Sequence, residues 1–148
     1  PWRKHQEIAL MHNTPTRTTL IQFIKFLGVG VANTLIGLSV IYATKWFLGA
    51  GDVIANATGY AVGLIVSFTL NSRWTFSYRG PRRAAVLKFL GVALIAYGMN
   101  LLTVMAAIEV FRINTYVAQA LGVPPYTLTS FLLSKFFVFR HRQVPQGS

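Results

Sequence analysis

Long apolar stretches separated by short polar turns run through most of the chain. Four of them, about 21–47, 53–72, 86–109 and 115–138, reach the roughly 20 residues an α-helix needs to cross a bilayer core. Between them lie Gly49-Ala50-Gly51-Asp52, then Ser77-Tyr78-Arg79-Gly80-Pro81-Arg82-Arg83, then Phe111-Arg112-Ile113-Asn114. Turns this short make consecutive helices antiparallel. The pattern predicts an all-α polytopic membrane protein with four transmembrane helices in two tandem helical hairpins. The first stretch is too long and too far from the N-terminus for a cleavable signal peptide and reads as a span. Residues 1–19 are expected to form a polar cytoplasmic segment, with Trp2, Ile8, Leu10 and Met11 as an interfacial stretch. Residues 20–142 form the transmembrane domain and 143–148 a disordered tail.

Composition excludes a soluble globule. Of the 148 residues 53% are hydrophobic and only 11% charged, with a mean hydropathy of +0.50; soluble domains carry about 25% charged residues. The net charge of +11 does not imply nucleic acid, because that partner needs a basic patch on a polar scaffold. Here the charge sets orientation. Arg3, Lys4, Arg17, Lys25, Arg73, Arg79, Arg82, Arg83, Lys88, Lys135, Arg140 and Arg142 fall on one side of the predicted topology. Lys45 and Arg112 fall on the other, beside Asp52 and Glu109. The positive-inside rule then places both termini and the central loop in the cytoplasm, with the chain in the inner membrane. There is no cysteine, and His5, His12 and His141 lie in the polar tails, so no metal or thiol chemistry and no cofactor is expected.

A shift of 63 residues aligns the two halves without a gap. Lys25-Phe26-Leu27-Gly28-Val29 falls on Lys88-Phe89-Leu90-Gly91-Val92, and Ala55, Ala57, Gly59, Ser67, Phe68, Leu70, Phe76 and Arg79 meet identical residues. Each half holds an even number of helices, so both have one orientation; the expected relation is a parallel repeat about an axis along the membrane normal. On the second helix Asn56, Tyr60, Gly63, Ser67 and Asn71 recur at steps of 4, 3, 4 and 4, which places them in one stripe. The fourth helix offers Gln119, Val123, Tyr126, Ser130 and Ser134 at the same positions. Two readings stand for these stripes: close helix packing, and a polar path for a ligand.

Lys25 and Lys88 open the first and third helices, and Arg73 and Lys135 close the second and fourth. A cation at a helix end can snorkel to the headgroups. The four together also form a ring suited to a phosphate or diphosphate, with Arg73 able to bind oxygens bidentately. Anionic lipid is drawn to the same ring. Trp74, Phe76 and Tyr78 follow the second helix, and Phe136, Phe137 and Phe139 the fourth. They read as an interfacial belt, with Trp74 alternatively stacking on a sugar. Pro124-Pro125 removes two amide donors from the fourth helix and is expected to bend or break it. Asn33 and Asn100 are expected to hydrogen-bond a neighbouring helix.

Enzymatic signals are scarce. The acids Glu7, Asp52 and Glu109 are scattered, and no nucleophile–base set or Gly-rich phosphate loop appears, so no catalytic residue is assigned. A proton-coupled drug exporter would want a mid-membrane carboxylate, and Glu109 is the sole loose candidate.

Four spans in about 120 residues, the Lys25–Val29 opening and Phe68-Thr69-Leu70-Asn71-Ser72-Arg73-Trp74-Thr75-Phe76 resemble the GtrA-like family. That nine-residue stretch is similar to the family's Asn-x-Arg/Lys-Trp-x-Phe ending of the second helix. The stretch Phe131–Phe139 echoes it, with Ser134-Lys135 in place of Asn-x-Arg. The resemblance implies cell-envelope polysaccharide synthesis: flipping of a polyprenyl-phosphate-linked sugar across the cytoplasmic membrane, or assistance to the glycosyltransferases that make or use it. It maps the family motif onto Lys25, Asn71, Arg73, Trp74 and Phe76. The expected flippase docks phosphate on Lys25, Arg73, Lys88 and Lys135 and passes the sugar along Asn56, Tyr60, Asn71, Trp74, Gln119 and Tyr126. It works as a homodimer or with a membrane glycosyltransferase. The alternative is a non-transporting anchor that recruits such an enzyme through Arg79, Arg82 and Arg83.

Overall fold

The structure, a computed structural model, describes residues 15–140. The interfacial stretch expected at Trp2–Met11, the three histidines and the tail 143–148 lie outside the described residues. Among the described residues every regular element is helical, and the chain divides into two compact units between Phe76 and Ser77.

The first unit is a hairpin of α1 (Pro15–Leu48) and α2 (Asp52–Leu70), the latter continued by a π-helical turn, π1 (Asn71–Thr75). α1 stops at Gly49, whose φ of +60° turns the backbone out of the helix. The second unit repeats the plan: α3 (Arg82–Glu109), α4 (Thr115–Leu133) and π2 (Ser134–Val138). Asn114 caps α4, its side-chain oxygen accepting the Tyr116 N–H at 2.9 Å. The boundaries of α2 and α4, and of π1 and π2, stand 63 positions apart. The sequence repeat is therefore a repeat of elements.

Hairpin packing follows the same register. Ala55, Gly59 and Gly63 are the buried face of α2, and Ala118 and Gly122 hold the equivalent positions of α4. A Cβ on Gly59 would stand 2.9 Å from the Gly37 carbonyl oxygen, so α1 and α2 meet backbone to backbone. At Gly122 the facing atoms are side chains, Asn100 and Val104, the latter's methyl 2.9 Å from such a Cβ. Val104, Ala107 and Ala118 build a small apolar cluster at the far end of the second hairpin, with Ile108 and Ile113 against it. The asparagines expected to bond across helices instead pack on glycines. Asn33 lies against Gly63 with its carbonyl oxygen buried and unpartnered, and Asn100 lies against Gly122.

Among the described residues three helical segments are long and apolar enough to cross a membrane: Arg17–Leu48, Asp52–Thr75 and Arg82–Glu109. The fourth, α4 with π2, matches α2 with π1 in length, but Gln119, Pro124, Pro125 and its hydroxyl residues make it less apolar. The side chains facing away from each hairpin are largely aliphatic, including Leu20, Ile24, Val31 and Leu35 on α1. This is a surface matched to lipid. Of the bend or break expected at Pro124-Pro125 the break does not occur: α4 runs through both prolines. Two amide donors are lost, and the i→i−4 bonds on either side carry the helix past them.

Candidate functional site

Each hairpin has one end closed by a tight turn and one open, basic end. The closed ends carry the two acids among the described residues. Lys45 and Asp52 form an ion pair across the α1–α2 turn, exposed and thus of small energetic weight. Glu109, the last residue of α3, is exposed at the corresponding end of the second hairpin.

At the open end of the first hairpin, π1 decides the geometry. The Phe76 N–H donates to the Asn71 carbonyl at 2.9 Å, an i→i+5 bond that widens the last turn of α2. Phe76 is thereby turned inward to 3% exposure, its ring 6.4 Å from that of Phe26. The terminal carbonyls of a helix lack intrahelical donors and attract a cation. Lys25 supplies it: its ammonium donates to the Trp74 carbonyl at 3.4 Å and lies 5.4 Å from the indole centroid. Arg73 is exposed beside it, with no hydrogen-bond or ion-pair partner among the described residues.

Behind this cationic rim sits unspent polarity. Asn71 is 2% exposed; its amide nitrogen donates to Ser67 Oγ at 3.3 Å while its carbonyl oxygen is buried without a partner. Thr75 Oγ1, one turn further on, is also buried and unpartnered. Buried polar atoms are normally satisfied, so these two are open to a further hydrogen-bond donor.

The second hairpin copies the frame with different chemistry. The Phe139 N–H donates to the Ser134 carbonyl at 2.8 Å, and Phe139 packs on Phe89 at 6.2 Å. Lys88 lies 5.1 Å from the Phe137 ring, the counterpart of Lys25 on Trp74. Lys135 lies 5.5 Å from the Phe136 ring. Ser134 is fully buried and its hydroxyl unpartnered, as Asn71 is in part.

The structure thus joins Lys25, Asn71, Arg73 and Trp74 at one end of the first hairpin, and Lys88 and Lys135 at the matching end of the second. It does not gather the polar stripes. Asn56 is exposed and bonds the Asp52 carbonyl of its own helix at 2.9 Å. Tyr60 is 73% exposed and Gln119 and Tyr126 are also exposed, while Gly63 and Asn71 on the same stripe are buried. The stripe winds from the outer surface of the hairpin to its inner face. Sequence reasoning missed the π turns and Thr75; the one available signal was Phe76 and Phe139 recurring at the repeat spacing behind a small polar residue.

Comparison with known proteins places these features in company. The model of the family described as GtrA/DPMS, transmembrane domain, matches residues 25–139. A bactoprenol-linked glucose translocase of Shigella phage SfV is 29% identical over 120 residues, which is 80% of this chain and 94% of that protein. The protein of the same name from Shigella phage SfII matches with the same identity and coverage.

Proposed function

The chain belongs to the GtrA/DPMS transmembrane-domain family, and from that premise we propose that it flips a polyprenyl-phosphate-linked sugar across the cytoplasmic membrane. It acts as a carrier and not as an enzyme, in keeping with relatives named translocases. The observation that carries the reading is the open end of the first hairpin, where an ammonium and a free guanidinium stand over a buried, half-satisfied amide. Lys25 and Arg73 take the phosphate oxygens, Arg73 as a fork and Lys25 as a point charge. The Asn71 carbonyl oxygen accepts from a sugar hydroxyl, and Trp74, half exposed, offers a face for the ring. Lys88 and Lys135 hold phosphate at the second hairpin.

The charge asymmetry supports a basic end in the cytoplasm, where the lipid-linked sugar is loaded. Asn56, Tyr60, Gln119 and Tyr126 line the outward faces, so a path along them runs between the hairpin and a neighbour: a second copy or a membrane glycosyltransferase. Reconstitution into liposomes with a labelled lipid-linked sugar tests the function. Flipping faster than in protein-free vesicles, and lost on substituting Lys25→Ala with Arg73→Ala, is expected; a rate equal to the protein-free control refutes it.

The exposed run Arg79, Arg82 and Arg83 favours a second reading, an anchor for a glycosyltransferase. Loss of a co-purifying enzyme on mutating these three arginines, with flipping intact, would select it.

A further inference from the structure

The second hairpin carries a feature with no counterpart in the sequence motifs. At its open end the segment before α3 and the turn π2 enclose a groove of 790 Å³, within the range of ligand pockets. Arg79, Lys88 and Arg140 line it, together with Phe136 and Phe137. Ala84 and Ala85, in the first turn of the 28-residue helix α3, form part of its wall. That turn has no side-chain cap and no acidic residue, so its amide groups add positive potential to the three cations.

Among the described residues of this hairpin no acid neutralises this charge. Glu109 is the one acid between residues 77 and 140, and it sits at the other end of α3, on the order of 35 Å along the helix. Arg79 and Arg140 have no hydrogen-bond or ion-pair partner among the described residues. The groove is also held in shape. Tyr78 stands edge-on to Phe139 at 5.4 Å, and its ring lies so close to Gly80 that a Cβ there would fall 2.9 Å from a ring carbon. Two planar guanidinium forks, one ammonium and a helix N-terminus beside aromatic rings match a phosphate monoester or diphosphate carried on an apolar chain.

We infer that this groove is a second anion site, which binds a phosphate-bearing headgroup through Arg79 and Arg140. It extends the phosphate reading above, with which it shares Lys88, and adds Arg140, a cation whose counterpart at the repeat spacing is the uncharged Ser77. The headgroup comes from the membrane, its tail continuing along the aliphatic helix faces; free phosphate offers the same oxygens.

The test uses the full chain carrying Lys25→Gln and Arg73→Gln in phosphatidylcholine nanodiscs, so that the two cations of the first hairpin's candidate site are absent. Calorimetric titration with farnesyl phosphate, farnesol and inorganic phosphate follows. Farnesyl phosphate is expected to bind most tightly, farnesol not to bind specifically, and Arg79→Gln with Arg140→Gln to weaken farnesyl phosphate about tenfold. The charge-conserving pair Arg79→Lys with Arg140→Lys retains part of the affinity, which separates loss of ligand contacts from loss of fold. Inorganic phosphate binding as tightly as farnesyl phosphate, and equally weakened by the Gln pair, upholds the anion site and assigns it to free phosphate. Unchanged affinity in the Gln pair, or farnesol binding as well as its phosphate, overturns the inference. The titration needs no transport, so failure of flipping in liposomes and failure of the groove are read separately.

Discussion

The two hairpins share a frame and differ in what they do with it. Both end in a π turn that buries a phenylalanine, both lay a lysine over an aromatic ring, and both bury a small polar residue at the turn's first position. On that frame the first hairpin places Asn71, Arg73 and Trp74, the second Ser134, Phe136 and Phe137. The backbone and the cation–π pair are thus the shared structural elements, while the polar and charged side chains set on them have diverged. The second hairpin keeps its charge elsewhere, in the groove formed with Arg79 and Arg140. Repetition here conserves geometry and frees chemistry.

The same contrast appears in the helix packing, and substitution there breaks it most severely. Gly59→Ala sets a methyl against the Gly37 backbone and should destabilise the first hairpin by roughly 1–3 kcal/mol. Gly122→Ala meets side-chain atoms of Asn100 and Val104 and no backbone atom, and should cost less than Gly59→Ala. Thermal unfolding in a mild detergent compares the two; equal losses would show that the hairpins approach alike. Ser134→Asn restores the first hairpin's residue in the second, at a fully buried site. The added volume predicts a loss of about 1–2 kcal/mol, seen in the same melts.

The reverse exchange is milder. Asn71→Ser removes a carbonyl oxygen that has no partner among the described residues and gives up only the 3.3 Å amide bond to Ser67, so stability should change by about 1 kcal/mol. Flipping should fall all the same, because the lost oxygen is the one assigned to the ligand. A normal flipping rate in this variant would reduce Asn71 to packing. The smallest effect is expected from Trp74→Phe, which leaves a ring under Lys25 as Phe137 does under Lys88. The cation–π change is worth about 0.5 kcal/mol, and headgroup affinity measured by titration should drop no more than a few-fold.

Much of this architecture is legible in the sequence because length and register are global signals. The apolar stretches mark α1 to α4 to within about six residues at either end, and the gapless shift of 63 pairs α2 with α4 from the sequence. The site is legible only where the motif is local. Lys25, Arg73 and Trp74 meet as the helix ends predict, but Asn56 and Tyr60 do not join them. Periodicity says that residues share a stripe; which part of the stripe meets the partner helix is decided by the close approach at Gly59. The π turns are invisible for a related reason. An i→i+5 bond at Asn71 is held by burial of Phe76 against Phe26, a contact between residues 50 positions apart. Arg79 and Arg140 are further apart still, so the groove belongs to the fold alone.

The central claim, one frame with its ligand chemistry concentrated in the first hairpin, is tested most directly by a paired flipping assay. Two variants are reconstituted side by side with a labelled lipid-linked sugar: Lys25→Ala with Arg73→Ala, and Lys88→Ala with Lys135→Ala. Loss of two charge-assisted contacts to phosphate predicts a fall of about a hundredfold for the first pair and about tenfold for the second. Equal losses, or a larger loss from the second pair, would contradict the account.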